Sequence, residues 1–171
     1  MTSADELNEQ RDAEQSVAQV FERNDGNDGI DAGEPADSQT RESAVTIPAG
    51  TVVLAATPIG NVGDASARLV AFLERADIVA AEDTRRLFDL ARRLGVYVNG
   101  RVIAYHDHNE RDKADGLLDQ VETGATVLVV SDAGMPTIND PGLAIVRRAI
   151  ERGLPVTCAP GPSAVLDALA L

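Results

Sequence analysis

The sequence is short of several residue types at once. Its 171 residues include one cysteine, no tryptophan, two tyrosines, three phenylalanines, two histidines and a single lysine, Lys113. One cysteine excludes an internal disulfide and a cysteine-rich zinc module. Cys158 lies in the apolar run 155–159 and reads as a small core residue rather than a reactive thiol. No apolar run approaches the roughly 18–20 residues that a membrane span requires. Residues 1–10 are polar and acidic and lack the basic-then-apolar order of a secretory signal. A soluble, cytoplasmic protein without membrane contact is expected. Glycine-rich fingerprints are missing as well: no GxGxxG marks a dinucleotide site and no GxxxxGK[ST] marks a P-loop.

Positive charge is also scarce, with a net charge of −13. The deficit is uneven. Residues 1–48 hold twelve acidic side chains and three arginines, a net of −9, whereas residues 49–171 carry only −4. The second part is mildly acidic, which argues against its gripping a long stretch of RNA backbone by charge alone. The first part has no apolar periodicity beyond a short helical stretch around Val17–Phe21 and is rich in Asp, Asn, Gly and Pro. It cannot bury enough apolar surface to offset its ordering entropy, so a disordered acidic tail is expected over 1–48, solvating rather than autoinhibitory.

From Gly50 the pattern changes. Apolar runs at Thr51–Ala56, Ile78–Ala81, Val102–Ala104, Thr126–Val130 and Val156–Cys158 read as strands. Amphipathic stretches at Ala65–Arg75, Thr84–Leu94, Arg111–Glu122, Pro141–Arg152 and from Ser163 onward read as helices. Strict alternation with continuous apolar strands predicts an α/β domain over 49–171: a five-stranded, largely parallel sheet with helices on both faces. Gly95, Gly124 and Gly153 stand where helix ends need a capping glycine. The last helix is apolar and runs to Leu171 without a stop signal, so the chain is expected to be incomplete.

The chemically capable residues follow the strands. Thr57–Asn61 (TPIGN) comes after the first, Glu82–Arg86 (EDTRR) after the second, Tyr105–Glu110 (YHDHNE) after the third, Ser131–Gly142 (SDAGMPTINDPG) after the fourth and Pro160–Ser163 (PGPS) after the fifth. Ligands of open α/β sheets bind outside the carboxyl ends of the strands, so these loops predict a site at one edge. His106 and His108 alternate, but without a cysteine cluster or third histidine no metal is expected; proton handling or substrate contact suits them better. Asp132, directly after a buried strand, offers a carboxylate to hydroxyls or an ammonium group, and Ala133 and Gly134 leave room for close backbone approach. Asp140 and Pro141 read as the N-cap and first residue of a helix. Arg85 and Arg92 share one helix face, as do Arg86 and Arg93, forming a candidate phosphate-contacting stripe.

In this order and spacing, TPIGN, AAEDTRR, YHDHNE, SDAGMPTINDPG and PGPSA resemble the small-subunit (16S) rRNA cytidine-2′-O-methyltransferase family. That family belongs to the tetrapyrrole methylase-like class of S-adenosylmethionine enzymes. The resemblance covers Gly50–Leu171 and implies two α/β domains with the methyl donor, S-adenosylmethionine, in the cleft between them. This chain then supplies the first domain and, alone, transfers methyl groups poorly. Carried over by motif, Pro58, Gly60, Asp132, Ala133, Gly134 and Ser163 are implied donor contacts. Glu82, Asp83, Thr84 and Arg85, with the His106–Glu110 loop, are implied to face the RNA; Arg85, Arg86, Arg92 and Asn109 are the expected RNA contacts. Met135 stands where a small or hydroxylated residue is implied. The small ribosomal subunit is the implied partner, and the family is usually dimeric.

Methyl transfer to a ribose hydroxyl requires in-line alignment and removal of a proton. With one lysine the chain cannot supply a Lys-Asp-Lys-Glu tetrad. The candidate proton acceptors are His106, His108, Glu110 and Asp83, unranked by sequence. Two rivals stand: a tetrapyrrole acceptor on the same fold and donor, and a non-catalytic module that binds a ligand through the same edge.

Overall fold

The computed structural model describes residues 45–171, apart from residue 107 and residues 138–140. The expected tail therefore lies outside the described residues through residue 44. Residues 45–48, assigned to the tail from composition, belong instead to the folded part. Ile47 packs on the core, the Pro48 carbonyl accepts from Thr126 Oγ1 at 2.7 Å, and the Val45 carbonyl accepts from Arg75 at 3.1 Å. One apolar residue, with two carbonyls that find donors, is enough to bring the entry segment onto the domain.

Five strands, β1 (Val52–Ala55), β2 (Ile78–Ala81), β3 (Arg101–Ala104), β4 (Val127–Val130) and β5 (Val156–Ala159), form one sheet in the order β3-β2-β4-β1-β5. Every pairing is parallel. The helices between them are α1 (Ala67–Arg75), α2 (Thr84–Leu94), α3 (Glu110–Glu122), α4 (Leu143–Glu151) and α5 (Ala164–Ala170), with a 3₁₀ turn at Val62–Asp64. Because side chains alternate along a strand, each apolar strand feeds two cores. Val53, Ala55, Val79, Ala81, Leu128 and Val130 meet Leu69, Phe72 and Leu73 of α1 and Leu87 and Ala91 of α2. Val52, Leu54, Ile78, Ala80, Val127 and Val129 meet Leu117, Leu118 and Val121 of α3 and Ile145 and Ala149 of α4. Helices thus cover both faces, as the alternation predicted.

Local signals set the helix limits. Ser66 caps α1 by accepting from the Leu69 amide at 3.0 Å, and Asp83 caps α2 by accepting from the Arg85 amide at 2.8 Å. Gly95 ends α2 in the left-handed region at φ 70°, where a side chain would be strained. The fourth helix starts later than expected: α4 opens at Leu143 with Gly142 as its N-cap, and Asp140 lies outside the described residues. Cys158 corrects a second expectation. It is exposed, because β5 is an edge strand over which α5 buries no residue. Among the described residues no helix is long and apolar enough to cross a membrane.

Candidate active site

The chain leaves β1, passes to β2 and β3, and returns to place β4 between β1 and β2. The direction of winding reverses beside β4, and such a switch point separates consecutive loops into a crevice. Two backbone bonds join the loops after β1 and β4. The Thr57 amide donates to the Gly134 carbonyl at 2.9 Å, and the Gly134 amide returns a bond to Thr57 at 3.0 Å. Thr57 Oγ1 adds a bond to the Ser131 carbonyl at 3.1 Å. Gly134 holds φ 81°, a conformation that makes glycine the fitting residue.

The loops after β2 and β4 clasp each other. The Asp132 amide donates to Glu82 Oε2 at 3.1 Å, and the Asp83 amide donates to Asp132 Oδ1 at 3.2 Å. Arg86, in the first turn of α2, pairs with Asp132 Oδ2 at 3.3 Å. These contacts push the two aspartates in opposite directions. The side chain of Arg85, donating to the Asp83 carboxylate, holds that group below the usual carboxylate range. Asp132 is pushed up, first by burial and then by the Glu82 carboxylate, with Arg86 partly offsetting both. Neighbouring carboxylates whose pKa values are pushed in opposite directions are a mark of functional sites.

Above this clasp lies an open cleft of about 600 Å³, lined by Pro58, Gly60 and Asp132 together with Asp83, Arg86 and Arg93. Arg85 borders it too. Residues 51–171 match the family described as Tetrapyrrole (Corrin/Porphyrin) Methylases. The chain belongs to this methylase family. It is 52% identical over 122 residues to the ribosomal RNA small subunit methyltransferase I of Mycobacterium tuberculosis (strain ATCC 25618 / H37Rv), covering 71% of this chain and 43% of that protein. The protein of the same name from Escherichia coli O157:H7 is 44% identical over 120 residues, 70% of this chain and 41% of its own length. That of Halalkalibacterium halodurans is 42% identical, with the same coverage. The chain therefore spans less than half the length of these relatives.

In this methylase domain the cleft joins three of the expected donor contacts, Pro58, Gly60 and Asp132, to three residues expected on the RNA side, Asp83, Arg85 and Arg86. Gly134 braces the cleft from behind through Thr57. Ala133, Ser163 and the His106–Glu110 loop are not among its lining residues. Ser163 is the N-cap of α5 and makes no capping bond. Met135, bulkier than the resemblance implies, packs partly buried against the core.

The arginine stripe is largely engaged. Arg85 pairs with Asp83, Arg86 with Asp132 and Arg92 with Asp89. Arg93, exposed and on the cleft wall, has no ion pair among the described residues. Asn109 is turned inward: its Oδ1 accepts from the His106 amide at 3.0 Å, and its Nδ2 donates to the Ala104 carbonyl at 3.3 Å and lies 3.0 Å from His106 Nε2. It closes its own turn rather than offering its amide outward. The His106 and His108 rings meet edge to face at 6.0 Å. Glu110 accepts from the amides of Gly142 and Ala144 at 2.9 and 3.4 Å. Sequence reasoning named Tyr105 in the loop after β3 but gave it no role; it is buried, and its phenol is pushed up by burial and then by Glu110. Its place directly after an apolar strand was the one available signal.

Proposed function

We propose that this domain binds S-adenosylmethionine at the carboxyl edge of its sheet and serves 2′-O-methylation of a cytidine in small-subunit (16S) ribosomal RNA. The supporting observation is the cleft that gathers Pro58, Gly60 and Asp132 with Arg85, Arg86 and Arg93. Its weight comes from the 52% identity to a protein named for small-subunit ribosomal RNA methylation.

The residues present fit the donor. A volume of about 600 Å³ falls in the range of small-molecule sites. The backbone at Gly60 faces open space, with no atom within 4 Å of where a Cβ would stand. The Asp132 carboxylate, about a quarter exposed, suits an ammonium group. Once bound, the donor supplies an electrophilic methyl group on a sulfonium. The chain's own part is to hold and orient. Pro58 and Gly60 would lie beneath the ligand, Asp132 would hold its charged end, and Ala133, Gly134 and Ser163 would complete the surrounding loops. Arg93, which lines the cleft and has no ion pair among the described residues, steers phosphates towards it.

The four proton acceptor candidates differ in what each already does. Asp83 caps α2, accepts from Arg85 and is held ionised, which makes it a weak base. Glu110 caps α4, and His106 Nε2 faces Asn109. His108 is exposed, holding a ring contact with His106, and we assign it the ribose proton. The partners in this scheme are the small ribosomal subunit and a second copy of the chain, in the cytoplasm.

The test uses protein expressed to its natural stop codon, methyl-labelled S-adenosylmethionine and under-methylated small subunits, followed by nucleoside analysis. Label in 2′-O-methylcytidine is expected. Donor binding without labelled RNA would move the acceptor to a tetrapyrrole, and no donor binding would leave a non-catalytic module.

A further inference from the structure

Glu110 opens α3, yet its carboxylate serves another helix. Oε2 accepts from the Gly142 amide at 2.9 Å and the Ala144 amide at 3.4 Å. Both belong to the first turn of α4, whose own N-cap is a glycine with no side chain to offer. The helix thus takes its cap from the loop after β3. A carboxylate there makes charge-assisted bonds and complements the positive end of the helix dipole.

The same two contacts fix Gly142 at one end of the loop after β4, where the Thr137 amide also closes on the Pro141 carbonyl at 3.3 Å. Its other end is fixed by the paired backbone bonds between Thr57 and Gly134. Between the anchors Thr137 sits at φ 77°, a strained conformation for a β-branched residue that persists only where its surroundings impose it. Gly142, at φ 127°, has no room to help: a Cβ there would stand 3.2 Å from Thr137 Cγ2. Glu110 is itself well held. Its amide donates to the His106 carbonyl at 2.9 Å, and Asn109 and Lys113 Nζ both donate to the Ala104 carbonyl.

We propose that Glu110 is a positioning residue for donor binding: by capping α4 it fixes the far end of the loop that presents Asp132 to the cleft. This rests on the donor assignment made above. The experiment measures S-adenosylmethionine affinity by calorimetry, with thermal melting as a fold control, in full-length wild type, Glu110→Ala and Glu110→Gln. Gln keeps an acceptor oxygen at the same reach. The expected result is an affinity loss of about tenfold for Glu110→Ala and recovery to within about twofold for Glu110→Gln. Equal affinity in wild type and Glu110→Ala overturns the assignment alone. No binding by wild type overturns the functional assignment and this one with it. Should Glu110→Ala not fold, Glu110→Asp decides, since it keeps the charge but withdraws the carboxylate by one methylene. Weaker binding by Glu110→Asp than by Glu110→Gln upholds the capping role, and equal or opposite ranking refutes it.

Discussion

The guanidinium of Arg86 reaches the Asp132 carboxylate at 3.3 Å and joins the first turn of α2 to the loop after β4. The pair does not make Asp132 a comfortable anion. Burial and the Glu82 carboxylate outweigh Arg86, and the carboxyl group is pushed up. A group strained in its ionised form at the mouth of a cleft is one that a cationic ligand relieves.

Asp132→Asn separates that strain from function. Because the folded-state pKa is raised, the stability linked to Asp132 is complete below the ordinary aspartate value and is lost as pH rises through the raised one. Asn stays neutral, still offers Oδ1 to the Asp83 amide, and gives up an ion pair whose arginine is largely exposed. Melting at neutral pH is expected to be no lower, and slightly higher, than in wild type, with the difference vanishing in strongly acid solution. Donor affinity is expected to fall about tenfold. A variant that loses stability at neutral pH while binding normally would remove Asp132 from the donor site.

Asn109→Ala tests whether that residue closes a turn or reads RNA. Without it the His106 amide loses its acceptor, whereas the Ala104 carbonyl keeps Lys113. A destabilisation of about 1–2 kcal/mol is expected in urea. The salt dependence of RNA binding should not change, and a shallower slope would return Asn109 to the RNA-contacting set.

Gly100→Ala probes how β3 joins the sheet. A Cβ at this position would stand 2.2 Å from the Ala76 carbonyl oxygen and 3.0 Å from the Asp77 carbonyl, both backbone atoms that cannot swing aside. The cost is overpacking at the entry of an edge strand, about 3 kcal/mol. Denaturation at the wild-type midpoint would show that this entry is looser than the structure has it.

The fold was legible because its signals are local. Apolar runs of four residues buried on both faces, such as Val127–Val130, announce parallel strands, and Gly95 marks a helix end by backbone need alone. The cleft was legible in three of the five expected loops, those after β1, β2 and β4, because parallel topology sends every strand's carboxyl end the same way. Individual roles were not. Glu110 looked like a base, since a carboxylate beside two histidines does; that it caps α4 depends on a contact 32 residues away. Asn109 looked like an RNA contact until the turn beneath it came into view. Cys158 was placed in the core from its apolar neighbours, and strand order, which no local pattern reveals, put it on an open edge. The arginine stripe was right as geometry, but its charge is spent within the domain on Asp83, Asp132 and Asp89.

That spending makes a sharp prediction about Arg93. A guanidinium already paired with a carboxylate must give up that partner to meet a phosphate, whereas Arg93 lines the cleft with no ion pair among the described residues. Each phosphate contact adds roughly 0.7–0.9 to the slope of log affinity against log salt. Arg93→Ala is therefore expected to lower that slope by about one contact's worth and to weaken RNA binding most at low salt. Arg92→Ala, which only frees Asp89, should leave the slope within error. Neither change should move stability by more than about 0.5 kcal/mol, since both side chains are exposed. Filter binding of small-subunit RNA over a range of salt concentrations decides it: if Arg93→Ala keeps the wild-type slope, the RNA backbone does not run along this wall of the cleft.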